Sequence, residues 1–193
     1  SGIPTTFNTP NNTTQAGKHG VGAPGATDGS DGSALGNSIF LRTGSSLTFM
    51  AQDASDLLTV GDQVSFVDDT SFGAGGTSVF VKGNGTVVYE GTTDYQGTVT
   101  INNANLKVNG RIENAPVFVC SNSSFSSQRG QLSGAGTLTG DVFANSGTIS
   151  PGPGNTLTVG SLTLNSAGSG ALGSAVSIDI NGVGTSLVAV TGA

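Results

Sequence analysis

Residues 132–164 read LSGAGTLTGDVFANSGTISPGPGNTLTVGSLTL, and the spacing of their apolar residues decides the fold. Leu138, Val142, Ile149, Leu157, Val159, Leu162 and Leu164 alternate with polar or small residues. Such alternation puts one row of side chains inside and the next outside a strand. Gly, Asn, Ser and Pro interrupt every few residues, so no run reaches the length of an ordinary helix. Many short strands at close spacing leave a sandwich, a barrel or a solenoid. The repeat spacing separates them.

Working outward, Val79, Val99, Val117, Leu138, Leu157 and Val176 fall in line at nearly even steps. Leu47 and Val64 extend the line upstream at shorter, looser steps. A recurring step with two or three short strands per unit marks a stacked architecture whose coils bury apolar faces against one another. The fold expected from this spacing is all-β, a β-solenoid with about 18–21 residues per coil. Composition agrees. Thirty-two Gly residues suit tight corners, and 9% charged residues is low for a globular domain.

Residues 83–110, GNGTVVYEGTTDYQGTVTINNANLKVNG, resemble the autotransporter-associated β-strand repeat of Gram-negative bacteria. Gly83, Gly85, Thr86, Val87, Gly91, Tyr95, Gly97, Thr98, Thr100, Ile101, Leu106 and Gly110 fall on its pattern. The stretch 132–164 is similar to the segment that often follows that repeat, with Pro151-Gly152-Pro153-Gly154-Asn155 standing where the family has the shorter Pro-Gly-Asn. TSLVAVTG at 185–192 is similar to the next segment, with Leu187 where the family has Asp. The resemblance covers about residues 83–192. It implies a right-handed parallel β-helix, a passenger domain exported to the cell surface or secreted, acting as a stalk or adhesin and anchored through a C-terminal membrane barrel. It also implies a role for the C-terminal coils in templating folding during secretion.

The domain reading is an irregular Gly/Asn/Thr-rich segment over 1–37, read as a loop or linker, and a β-helix over 38–193. Loops are expected at 50–56 and 68–77, and one strand at 116–120 followed by a loop. The start at Ser1 and the end in mid-pattern at Gly192-Ala193 read as a fragment of a longer passenger. Phe40, Phe49, Phe66 and Phe80 are candidates for an internal aromatic stack. The six Lys and Arg residues are scattered and the net charge is −6, which argues against a nucleic-acid partner.

No catalytic, cofactor-binding or metal residue is assigned, and the chain reads as a non-enzyme. His19 is the sole histidine and Cys120 the sole cysteine, too few for a zinc site or an oriented Cys–His device. Cys120 reads as a buried structural thiol sharing a face with Phe118, opposite Val117 and Val119. Asp53, Asp56, Asp62, Asp68 and Asp69 cluster in sequence, which keeps a polysaccharide lyase or hydrolase as the alternative. Asp28 and Asp31 sit in a Gly-rich loop that lacks calcium-loop spacing. A trimeric phage or fibre protein is a second alternative, and an immunoglobulin-like sandwich a third. The ladders Thr98, Thr100, Asn102 and Thr156, Thr158 either satisfy the sheet surface or bind a host protein, a glycan or a second copy.

Overall fold

The computed structural model describes residues 4–7, 18, 39–68, 76–120, 129–165, 173–180 and 184–192. Among them every regular element is a strand and every strand-to-strand pairing is parallel. Parallel neighbours need a crossover between them. Here that crossover is made of other short strands, so the chain returns to each row after passing through the others, in curled sheets consistent with a parallel β-solenoid.

Three rows result. The first runs β1 (Thr5–Phe7), β4 (Leu57–Val60), β7 (Thr86–Tyr89), β10 (Asn105–Val108), β13 (Gln131–Gly134), β15 (Thr148–Ile149) and β17 (Ala175–Val176). The second contains β3 (Ser46–Ala51), β6 (Ser78–Gly83), β9 (Thr98–Asn102), β12 (Val117–Cys120), and the C-terminal halves of β14 (Thr137–Asn145) and β16 (Thr156–Asn165). The third contains β8 (Thr92–Asp94), β11 (Arg111–Glu113), the N-terminal halves of β14 and β16, and β18 (Leu187–Val190). The pair β2 (Ile39–Leu41) and β5 (Phe66–Asp68) adjoins the third row, where Thr93 Oγ1 bonds the Phe66 backbone in place of a ladder bond.

Alternation explains the core. Val79, Val81, Val99, Ile101, Val117, Val119, Val142 and Ala144 point inward along the second row and are buried. Each fully buried Val, Leu or Ile contributes roughly 1.5–3 kcal/mol relative to exposure. Phe66 anchors an aromatic cluster, with ring centroids 5.1 Å from Tyr95, 5.5 Å from Tyr89 and 6.3 Å from Phe49. Phe49 and Phe66 are internal, as expected. Phe40 is 40% exposed, and Phe80 lies on an outward position with the Lys82 ammonium over its ring. The expected Phe stack is therefore a mixed Phe–Tyr cluster, because alternation in SVFVK gives the interior to Val79 and Val81.

The register corrects part of the repeat. Val79, Val99 and Val117 are direct partners, each one even step from the next. The partner of Val117 is Val142, however, beyond the position that an even step reaches; Leu138 pairs with Ile112 in the adjacent row. Strand β14 carries both rows because a register shift between Leu138 and Asp141 bends it through a corner. Leu157 lies in the third row opposite Val188, and Val176 in the first opposite Ile149. Upstream, Leu47 pairs directly with Val79, and Val64, which stands between them in sequence, belongs to no row. Apolar spacing reports that a side chain faces inward; it does not report which wall it stands on.

Two further differences concern elements. Thr5–Phe7, inside the segment read as irregular, pairs with Leu58–Val60. The expected strand at 116–120 is β12, while the loop expected after it lies outside the described residues, as do 69–75 of the loop expected at 68–77.

Candidate functional site

The outward side chains of the second row stand in three columns. The first column is Ser46, Ser78, Thr98, Pro116, Asp141 and Ser161; Ser78 and Thr98 hydroxyls are 3.2 Å apart, and Ser161 Oγ donates to Asp141 Oδ1 at 2.6 Å. The central column runs Thr48, Phe80, Thr100, Phe118, Phe143, Thr163. Phe118 and Phe143 stack at 5.1 Å with their planes 14° apart. The third column is Met50, Lys82, Asn102 and Cys120, continued by Asn145 and Asn165, where Asn165 Nδ2 donates to Asn145 Oδ1 at 2.9 Å. The strand spacing fixes the separation of the hydroxyls, rings and amides along each column.

Half of this face is legible in the sequence. Thr98, Thr100 and Asn102, expected as an outward ladder, lie on it. The ring column is the half that sequence reasoning misses, although the alternation that buries Val117 and Val119 also sends Phe118 outward. Cys120 shares that outward face and is only partly buried. Burial pushes its thiol above the ordinary value, and a hydrogen bond from the Asn145 side chain works in the opposite direction. A thiol so shifted is a poor nucleophile at neutral pH.

Inside, a polar network joins Asp68, Thr77, Tyr95 and Gln96. Tyr95 Oη donates to Thr77 Oγ1, Thr77 Oγ1 donates to Asp68 Oδ2 at 3.3 Å, and the Gln96 N–H donates to Asp68 Oδ1 at 3.4 Å. Asp68 and Thr77 are both buried. Tyr89 Oη donates to the Val64 carbonyl at 3.1 Å. Burial raises the phenol pKa of both tyrosines, opposed by the side-chain hydrogen bond that links Tyr89 with Thr93 and the one that links Tyr95 with Thr77; the Asp68 charge adds to the rise at Tyr95.

Among the described residues, the acids close in sequence do not converge on one site. Asp53 and Asp56 share a turn in which the Asp53 N–H donates to Asp56 Oδ2 at 2.9 Å. Asp62 is exposed in the turn that closes from Gly61 to Val64, and Asp68 belongs to the buried network. Asp69, Asp28, Asp31 and His19 lie outside the described residues. Among the described residues no three His, Cys, Asp or Glu side chains gather as a metal-binding group. Thr156 and Thr158 fall in the third row, opposite Leu187 and Ala189, away from the face described above.

No protein-family model matches the chain, and no curated protein or solved structure matches it either.

Proposed function

We propose that this chain is a rigid display scaffold of the autotransporter-passenger kind: a right-handed parallel β-helix that serves as a surface stalk or adhesin. In this reading a turn of the helix takes about 18–21 residues where nothing is inserted. One observation supports it most. Along the row Val99, Val117, Val142, Leu162 the sequence intervals are unequal, with the longest between Val117 and Val142, yet the partners stay in direct register. The ladder keeps its register whatever the length of chain between one rung and the next, which is what a stalk bearing loops requires. The outer face of hydroxyls, rings and amides gives adhesion a surface to work with.

The test is expression of the complete parent gene in a Gram-negative host, with antibody labelling of intact cells against residues 83–110 and a cell-adhesion assay. Labelling of intact cells with a gain in adhesion is expected. A chain confined to the cell interior overturns the reading. So does release of new reducing or unsaturated sugar ends from a polysaccharide, abolished by Asp68→Asn, which favours the carbohydrate-active alternative.

A further inference from the structure

The chain contains three Asn–Gly pairs, Asn84-Gly85, Asn109-Gly110 and Asn181-Gly182, and the third lies outside the described residues. The other two stand at corners, one between β6 and β7 and one between β10 and β11. Both corners are held in the same way. The Ala51 carbonyl accepts the N–H groups of Asn84 and Gly85, each at 3.0 Å. The Tyr89 carbonyl accepts the Asn109 N–H at 2.9 Å and the Gly110 N–H at 3.1 Å. Each carbonyl belongs to the preceding pass of the chain, so stacking itself clamps the pair. The glycines have no room to swing. A Cβ at Gly85 meets the Asp53 and Asp56 carbonyl oxygens at 2.5 and 2.6 Å, and the space at Gly110 is equally closed by the Gly91 carbonyl. Both asparagines are nevertheless exposed to solvent.

We propose that Asn84 and Asn109 are modification sites gated by stacking: each deamidates through a succinimide when its corner opens, and stays intact while the coil is stacked. In the reaction the glycine backbone nitrogen attacks the asparagine Cγ. A C–N bond forms, the Cγ–Nδ2 bond breaks, and the amide proton leaves with the departing ammonia. Water then opens the succinimide at either carbonyl, to aspartate or isoaspartate. No reactant besides water is needed. Glycine favours the attack because no Cβ crowds its nitrogen and its backbone turns freely. Attack requires that the glycine N–H give up its proton and that the backbone rotate to bring nitrogen onto Cγ. The clamp opposes both, since the N–H is engaged by a carbonyl and the neighbouring backbone fills the space into which the corner would turn. Conversion therefore waits for local opening, whose frequency the stability of the corner sets. Exposure of the two asparagines taken alone gives the opposite expectation, ready conversion in the native protein. The modification marks chains that have lost their stack, and the inference is independent of the display reading.

The test incubates the purified 193-residue chain at mildly alkaline pH, in buffer and in guanidinium, with peptide mass mapping over time. Exchange of ammonia for water raises the peptide mass, and isoaspartate is confirmed by enzymatic methylation. Conversion at Asn84 and at Asn109 is expected to be at least about tenfold slower in buffer, with the β circular-dichroism signature intact, than in guanidinium. Val108 is buried beside the second corner, and Val108→Ala loosens it. That variant speeds conversion at Asn109 severalfold in buffer and affects Asn84 less. If Val108→Ala instead loses its β signature, both sites convert at the guanidinium rate, as the gate requires. Equal rates in buffer and guanidinium for the wild type overturn the proposal. So does an equal rate at Asn109 in folded wild type and folded Val108→Ala, or protection that persists in an unfolded chain.

Discussion

The Tyr95 hydroxyl donates to Thr77 Oγ1 at 3.1 Å, and both groups are buried. With Tyr89 it forms a pair of phenols that burial holds protonated past their ordinary value of 10.0. The unfolded chain ionises these phenols first, so above about pH 10 it binds fewer protons than the native state. Stability is therefore full below about pH 10 and falls as pH rises beyond it. Thermal melts across the alkaline range check this. Tyr89→Phe/Tyr95→Phe gives a shallower alkaline fall and costs roughly 1 kcal/mol per lost hydrogen bond at neutral pH. An equally steep fall in the double variant assigns the alkaline loss to other groups.

Val117 and Phe118 are neighbours with opposite fates, one fully buried and one outward against Phe143. Val117→Ala leaves a cavity and costs about 1.5–3 kcal/mol. Phe118→Ala loses the stack and part of its packing, about 0.5–1.5 kcal/mol. Urea melts of the two variants rank them. The reverse order contradicts the register between β12 and β14.

Ser146 sits at a corner with φ 61°, and its hydroxyl is buried without a hydrogen-bond partner among the described residues. The corresponding corners of two other passes use Gly83 and Asn103. Ser146→Gly removes both the left-handed strain and the orphaned hydroxyl, and is expected to stabilise by about 1–2 kcal/mol, offset in part by glycine's entropy. A lower melting temperature in the variant identifies an unrecognised partner for that oxygen.

Gly110 has ordinary backbone angles but no room. A Cβ there meets the Gly91 carbonyl oxygen at 2.0 Å and that of Glu90 at 2.5 Å. The chain at this corner packs backbone against backbone, so Gly110→Ala displaces the ladder and costs about 1–3 kcal/mol or more. Gly44→Ala has open space but a φ of 82° and tests left-handed strain alone, about 1–2 kcal/mol. Guanidinium melts of both variants separate the two effects.

Much of the architecture is legible because alternation is a direct imprint of inside and outside. Val79, Val99 and Val117 can be aligned from spacing because tight corners separate them. Leu138 cannot, because residues inserted after Cys120 shift the count while a bend in β14 starts a second apolar run one wall away. Thr5–Phe7 is too short a strand to carry a readable periodicity. Of the outer face, the Thr and Asn ladder is visible in the sequence and the ring column is not. Aromatic residues suggest burial by type, and here only their parity, odd against even along the strand, betrays that they look outward. The neighbouring corners at Lys82 and Asn102 need two passes distant in sequence to stack one above the other, which no local pattern encodes.

The direct pairing of Val117 with Val142 means that position along the stack is measured in strand heights, whatever the length of chain spent between them. A ladder of this kind separates inheritance of shape from inheritance of length. Corner segments can be swapped, lengthened or lost as interchangeable cargo, while the rungs above and below keep their addresses.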